Sequence, residues 1–594
     1  MTAPQAGRLQ ALRDALAGAG VDGFILQRTD QHGSEYLPAA EQRLAWLTGF
    51  TGSAGQAVVL PDAAAVFTDG RYTVQIGIEV DASLFERCNS GDMPPPRWLE
   101  ERLQPGMRLG YDAKLIRKAE REKLARLCQG RGAELVALTP NPIDRIWTDR
   151  PPPPLAPVTA HDESRAGESS VAKRQRMGEA VARRGADWLL VTAADSIAWL
   201  LNVRGGDVPY NPLCLSHLLL GADGTARWFV DPAKLQGGTR LDNAVATEPY
   251  EALDGALAEL GRSGARVLVD PTMNAAGFAD ILAQAGARVV EGQDPIPLAK
   301  ARKNPTEIEG TLEAQRRDGA AVVRFLAWLD GLDHDHAIDE AAAAERLEAE
   351  RAKDPLYRGP SFETISAHGP NAALPHYRVT LDTNRKLTAG TVYLVDSGGQ
   401  YLDGTTDITR TVALGQPTAE VQERFTLVLK GHIALAEAVF PEGTSGSQLD
   451  TLARLALWRR GLDFDHGTGH GIGSYLCVHE GPQRIAKRGG DTPLETGMIV
   501  SNEPGYYEPG EYGIRTENLI LVEEAPAAEG GDRRLLHFRT LTLAPIDRRL
   551  IDPHQLTEPE RRWLDTYHAR VRDELRPLLD DVTGNWLKGA TAPL

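Results

Sequence analysis

Along this chain, apolar residues fall into short strand-like runs set behind glycine turns, separated by stripes at helical spacing. Near the N-terminus a helix-like stretch precedes Ala19-Gly20-Val21-Asp22-Gly23-Phe24-Ile25-Leu26, and Ala45-Trp46-Leu47 follows. The same order returns later: a helix, then Arg184-Gly185-Ala186-Asp187-Trp188-Leu189-Leu190, then Ala198-Trp199-Leu200. Helix, Gly-Xaa-Asp turn, apolar strand and helix is the grammar of an α/β layer. The first two segments therefore read as divergent copies of one unit. Further on, Ile308, Leu312, Ala320, Val323 and Leu326-Ala327 recur near helical spacing. That stripe predicts a long helix packed on a sheet, within a polar helical region over 306–353.

Two breaks divide these patterns. Asp149-Arg150-Pro151-Pro152-Pro153-Pro154-Leu155-Ala156-Pro157 is an extended, semi-rigid proline segment, and the second break falls near Pro295-Ile296-Pro297. The expected domains are 1–157, 165–297 and 298–594. At 594 residues the chain exceeds what one ordinary core serves.

Composition then narrows the function classes. A formal charge of −17 repels polyanions, so nucleic-acid binding is not expected. Neither a secretory leader nor a bilayer-spanning run is evident. The four cysteines, Cys88, Cys128, Cys214 and Cys477, lack CxxC spacing. A soluble protein of a reducing cytoplasm is the expectation.

The candidate chemistry lies in the third region, where two segments match each other on acids. Leu387-Thr388-Ala389-Gly390 leads through Val392-Tyr393-Leu394-Val395 to Asp396-Ser397-Gly398. Leu494-Glu495-Thr496-Gly497 leads through Met498-Ile499-Val500 to Glu503-Pro504-Gly505. Both read L-x-x-G-x5-[D/E]-x-G. A second strand with another acid follows each: Asp407 in the first, Glu517 in the second. The pattern predicts a two-fold domain whose halves each present a carboxylate pair, with Asp403-Gly404 as a hairpin turn. Four converging acids repel one another and take up protons unless cations are present, and two divalent ions would balance four carboxylates.

Histidines reinforce this. His466-Gly467-Thr468-Gly469-His470-Gly471-Ile472-Gly473 sets two imidazoles four residues apart, and its glycines are expected to let backbone approach a ligand. A dinucleotide fingerprint fails, because Ile472 and Ser474 stand where glycine is needed. His479-Glu480 lacks the second histidine of HExxH, since Gln483 occupies that place.

These residues resemble a known family. The run 466–473, Ser501-Asn502-Glu503-Pro504-Gly505-Tyr506-Tyr507 and Gly513-Ile514-Arg515-Thr516-Glu517-Asn518 are similar to the signatures of the pita-bread metallopeptidases. The nearest resemblance is to the long, three-domain Xaa-Pro aminopeptidases (aminopeptidase P), over essentially the whole chain. It implies an α/β architecture of two creatinase-like N-terminal domains and a pita-bread catalytic domain with pseudo-two-fold symmetry. It implies five metal ligands: Asp396 on one ion, His470 and Glu503 on the other, Asp407 and Glu517 bridging. Two Mn²⁺ ions suit such an oxygen-rich set, with Zn²⁺ or Co²⁺ also compatible. The implied reaction removes an N-terminal residue from peptides with proline in the second position. Glu503 resembles the proton shuttle, His376 and His479 the imidazoles that contact substrate, and His466 the imidazole near the prolyl pocket. Arg515, two residues from Glu517, is expected on the same strand face, orienting that carboxylate beside the substrate. The resemblance also implies a homodimer. The competing readings are a dipeptidase confined to Xaa-Pro dipeptides (prolidase) and a metal-free peptide- or protein-binding module of the same fold.

Overall fold

The computed structural model describes residues 4–237, 242–332, 338–527 and 530–594. Two compact units emerge: one comprises Met1–Glu163 with Glu168–Ile296, the other Ser164–Gly167 with Pro297–Leu594.

The first unit contains the duplicated element that the apolar pattern predicts. Its first six-stranded sheet runs in the order Glu86–Asn89, Ala64–Thr68, Gln56–Val59, Gly23–Gln27, Arg108–Asp112, Glu134–Leu138. Its second runs Val245–Glu248, Ala226–Phe229, His217–Gly221, Trp188–Val191, Arg266–Val269, Arg288–Glu291. Parallel and antiparallel pairings follow the same sequence in both sheets. The repeated Gly-Xaa-Asp has a mechanical reason. Gly20 and Gly185 adopt φ of 67° and 75°, the left-handed conformation that ends each preceding helix cheaply only at glycine. Asp22 and Asp187 then accept the backbone N–H of Arg108 and Arg266, each the first residue of the neighbouring parallel strand.

In the second unit, the helix Pro305–Asp330 opens on a reciprocal cap: Asn304 accepts the Glu307 N–H, and Glu307 accepts the Asn304 N–H. The apolar stripe fits its C-terminal half, where Ala320, Val323 and Leu326 are buried. Its first turns depart from the expectation. Ile308 and Leu312 are only half-buried, whereas Glu307, Thr311, Gln315 and Asp318 face inward. Asp318, at the middle of the helix, holds Arg351 and accepts the Tyr401 hydroxyl, so polar pairing, not hydrophobicity, orients it there.

The paired acid segments form two broken hairpins. Thr391–Ser397 pairs antiparallel with Ile408–Leu414, Asp396 opposite Thr409, and beyond Gly398 the pairing resumes between Gly399–Tyr401 and Gly404–Thr405. Ile499–Asn502 pairs with Asn518–Glu524, and Gly505–Glu508 pairs with Tyr512–Arg515. Asp407 and Glu517 sit where each hairpin breaks. The glycine of the repeat is left-handed in both copies, Gly390 at 98° and Gly497 at 89°, and the leading leucines, Leu387 and Leu494, are fully buried.

Two buried histidines of this unit set a pH dependence. His432 donates from Nδ1 to Asn502 O and accepts from Asn518 at Nε2; His568 accepts the Ile546 N–H at Nε2. Burial, reinforced by Arg410, lowers both from 6.5 to about 3. Above pH 6.5 neither folded nor unfolded chain binds these protons. Below it only the unfolded chain does, so each histidine removes about 1.4 kcal/mol per pH unit until about pH 3. His568→Gln, whose amide oxygen can still accept from Ile546, is expected to flatten the fall of the urea midpoint over that window by one proton's worth. An unchanged slope would contradict the assignment.

Candidate metal centre

Each acid reaches the centre by backbone design. Asp396 is the sixth residue of its strand, and Asp407 directly precedes the strand opposite. Glu503 follows its strand and is fixed by Glu503 N–H to Thr468 O at 2.8 Å. Glu517 N–H donates to Thr409 O at 3.2 Å, which joins the second hairpin to the first. His470 stands on the short strand Gly469–Gly471, its N–H donating to Ser501 Oγ at 3.0 Å. A Cβ on Gly469 would lie 1.9 Å from Ser501 O, and one on Gly471 2.4 Å from Glu480 O. These two glycines permit strand-to-strand contact, which corrects the expectation that they admit a ligand.

The resulting geometry is tight. His470 Nε2 lies 3.5 Å from Asp407 Oδ2 and 3.6 Å from Glu503 Oε1. Donor atoms of Asp407, His470 and Glu517 all fall within 4.8 Å of one another, the one such metal-compatible group among the described residues. His470 Nδ1 donates to Gly471 O at 3.0 Å, so Nε2 presents its lone pair to the carboxylates. Asp396 Oδ2 accepts from Arg515 Nη2 at 2.6 Å, and its buried Oδ1 has no hydrogen-bond partner among the described residues.

Charge confirms that protein groups alone leave the cluster unsatisfied. Burial, then the neighbouring Glu517, Asp396 and Glu503 charges, raise Asp407 well above the carboxylate range. Burial and Glu517 do the same to Glu503, and burial with Asp396 pushes Glu517 up to about 8. Converging carboxylates, an orphaned buried oxygen and an imidazole lone pair aimed among them fit divalent cations. Arg515 already offsets one of the four acids, so two divalent ions would leave one positive charge in excess, room for an anionic group.

Arg515 takes a different partner from the one its spacing suggests. Its guanidinium binds Asp396, donates to the Tyr507 hydroxyl oxygen at 2.7 Å and donates to Thr409 Oγ1 at 3.1 Å. It reaches Glu517 only through Thr409, whose hydroxyl donates to Glu517 Oε2 at 2.7 Å. With Nε, Nη1 and Nη2 each bonded to a protein group and the side chain buried, Arg515 has the geometry of a positioning residue. Tyr507 links it onward: His466 gives Nδ1–H to Gly467 O and accepts the Tyr507 hydroxyl at 2.8 Å. His479 sets its ring edge-on to His470, centroids 4.4 Å apart. His376 is half-buried in the turn after the 3-10 helix Gly369–Ala373. That helix packs on the Arg515 strand, where a Cβ on Gly513 would strike Ala372 O at 1.7 Å.

Sequence reasoning passed over Thr409, Tyr507 and Ser501. Thr409 stands directly opposite Asp396 in the paired strands, a register that sequence spacing does not give.

Comparison with known proteins agrees with this geometry. The sequence pattern of metallopeptidase family M24 matches residues 309–524, and that of its C-terminal region matches 534–594. The creatinase/prolidase N-terminal domain matches twice, over 8–146 and 149–307. A probable Xaa-Pro aminopeptidase P of Laccaria bicolor is 41% identical over 603 residues, 99% of this chain and 93% of its own. The X-prolyl aminopeptidase of Caenorhabditis elegans, described as a cytosolic enzyme with a di-nuclear active site, superposes with a TM-score of 0.93 at 35% identity, covering 100% of both chains. A Xaa-Pro dipeptidase from Bacillus anthracis shares the fold alone, at 24% identity and TM-score 0.52, over 64% of this chain and 99% of its own. The chain belongs to metallopeptidase family M24, in the group of the Xaa-Pro aminopeptidases P.

Proposed function

We propose that this protein is a dinuclear-metal exopeptidase that hydrolyses the bond between an N-terminal residue and a penultimate proline. The observation that carries it is the convergence of Asp407, His470 and Glu517 with Asp396 and Glu503 in a chain of this family. The five residues would hold two ions: Asp396 on one, His470 and Glu503 on the other, Asp407 and Glu517 between them. The oxygen-rich set with one imidazole favours Mn²⁺. Such ions supply a water of lowered pKa and polarise the scissile carbonyl.

The remaining work falls to the chain's own groups. Glu503 is held by Ser501, whose hydroxyl donates to Oε1 at 3.3 Å, yet it remains partly exposed. With its pKa raised by burial and Glu517, it can take a proton from the attacking water and pass it to the prolyl nitrogen. In this reading His479, against the His470 ring, and His376 contact the substrate, where an imidazole N–H can bind the oxygen that gains charge. The Tyr507–His466 pair forms the wall of the prolyl pocket. Arg515 fixes Asp396, and through Thr409 it fixes Glu517. The division into 1–157, 165–297 and 298–594, a homodimer and a cytoplasmic location belong to the same reading. The location alone is supported by the worm enzyme's description as cytosolic. No helix among the described residues is long and apolar enough to cross a membrane.

The test pairs metal analysis with a peptide panel. Protein stripped by chelation is expected to take up two equivalents of Mn²⁺ and then to release arginine from an Arg-Pro-Pro peptide. An Arg-Ala-Pro control should remain intact. Cleavage confined to Xaa-Pro dipeptides would make it a dipeptidase, and peptide binding without any metal uptake would make it a binding module.

A further inference from the structure

Behind the metal centre lies a buried cation that the mechanism above does not use. Thr409 points from its strand toward Glu517, and the next residue, Arg410, points to the opposite side, as strand alternation requires. The Arg410 side chain is buried, and among the described residues no carboxylate pairs with it. Neutral oxygens receive its donors instead. Nη1 donates to Glu517 O at 2.6 Å and to Thr409 O at 2.9 Å. Nη2 donates to Asn518 Oδ1 at 2.8 Å, Ala544 O at 2.9 Å and Tyr567 OH at 2.9 Å, while Nε donates to Pro545 O at 3.0 Å.

The partners are not random acceptors. Glu517 O and Asn518 Oδ1 belong to the second hairpin, Thr409 O to the first, and Ala544, Pro545 and Tyr567 to the C-terminal region. Asn518 continues the network: its amide donates to His432 Nε2 at 3.1 Å, and His432 donates to the carbonyl of Asn502, the residue before Glu503. One guanidinium thus grips the backbone of Glu517 directly and reaches the Glu503 strand in two further steps.

We propose that Arg410 is a positioning residue of the metal centre: it clamps the two hairpins together at Glu517 and ties that carboxylate to the C-terminal region. A planar fork with five N–H donors is suited to this; an ammonium group is not. The inference rests on the reading of Glu517 as a metal ligand.

A neighbouring cavity of about 360 Å³, lined by Arg410 with Leu326, Val412, Ile546 and Trp586, makes a chemical test possible. It offers a free guanidinium ion room to reach the place of a deleted side chain. Manganese affinity of the stripped full-length protein is measured by calorimetry in wild type, Arg410→Ala and Arg410→Lys, with and without millimolar guanidinium against sodium as control. Expected are about 10- to 100-fold weaker manganese binding in Arg410→Ala, the usual cost of losing an outer support, and partial recovery with guanidinium alone. A kcat that falls far more than KM rises is expected alongside. If Arg410→Ala does not fold, Arg410→Lys carries the test, with weakened manganese binding expected in a protein of native circular dichroism. A variant that loses thermal stability yet binds manganese like wild type overturns the proposal and leaves Arg410 a packing residue. Wild-type protein that takes up no manganese instead overturns the reading of the site, and this inference with it.

Discussion

Asp407→Ala is expected to cleave a penultimate-proline peptide at least ~10³-fold more slowly than wild type, about 4 kcal/mol of lost transition-state stabilisation. Asp407 Oδ2 lies 3.5 Å from His470 Nε2 and the residue sits where the first hairpin breaks, so no neighbouring acid can take its place. Manganese uptake should fall below two equivalents, and excess Mn²⁺ should not restore the rate. The isosteric Asp407→Asn adds a test of sign. Burial and three neighbouring carboxylates raise the Asp407 pKa, so at neutral pH its charge costs the metal-free fold stability relative to the unfolded chain, where it ionises freely. Asp407→Asn should therefore raise the denaturation midpoint of the metal-free protein and lower that of the loaded protein. A midpoint that falls in both states would show that Asp407 serves the fold, not a metal.

Much of this centre is legible in the chain because local rules and chemistry coincide there. The L-x-x-G-x5-[D/E]-x-G repeat works at three levels: a buried leucine anchors each turn, a left-handed glycine makes it, and the strand that follows delivers an acid. The Gly-Xaa-Asp repeat of the first unit is legible for the same reason, since one turn needs its glycine and one strand start needs its aspartate. What could not be read depends on tertiary detail. Arg515 and Glu517 share a face only on a continuous strand, but one strand ends at Arg515 and the next begins at Asn518. The break turns the guanidinium toward Asp396, 119 residues away. The polar inward face at the middle of the helix Pro305–Asp330 could not be read, because Asp318 is buried against Arg351 and Tyr401, and an ion pair formed at long range leaves no trace in apolar periodicity. Gly469 and Gly471 were legible as close-approach residues, but not what approaches them, which is the neighbouring backbone.

The opposite sign is expected when positive charge is removed from the same cluster. Arg515→Met strips the acids of the cation that touches Asp396 at 2.6 Å and releases Tyr507 and Thr409. Breaking a buried pair on one side costs about 3–5 kcal/mol, because the other charge stays buried without its partner. In the metal-free protein the full penalty should appear as a lowered urea midpoint, since the four carboxylates then lose the guanidinium that touches them. With manganese bound, the ions replace much of what Arg515 supplied to Asp396, and the loss should shrink. Activity should still fall, by about 10- to 100-fold, because Thr409 no longer holds Glu517 against a fixed neighbour. Arg515→Lys keeps the charge and loses the three-way fork, so its metal-free midpoint should lie near wild type while its kcat stays reduced. That split separates the two tasks of the residue. Equal destabilisation of Arg515→Met with and without manganese would refute the charge account, because a side chain that only filled space would be missed equally in both states.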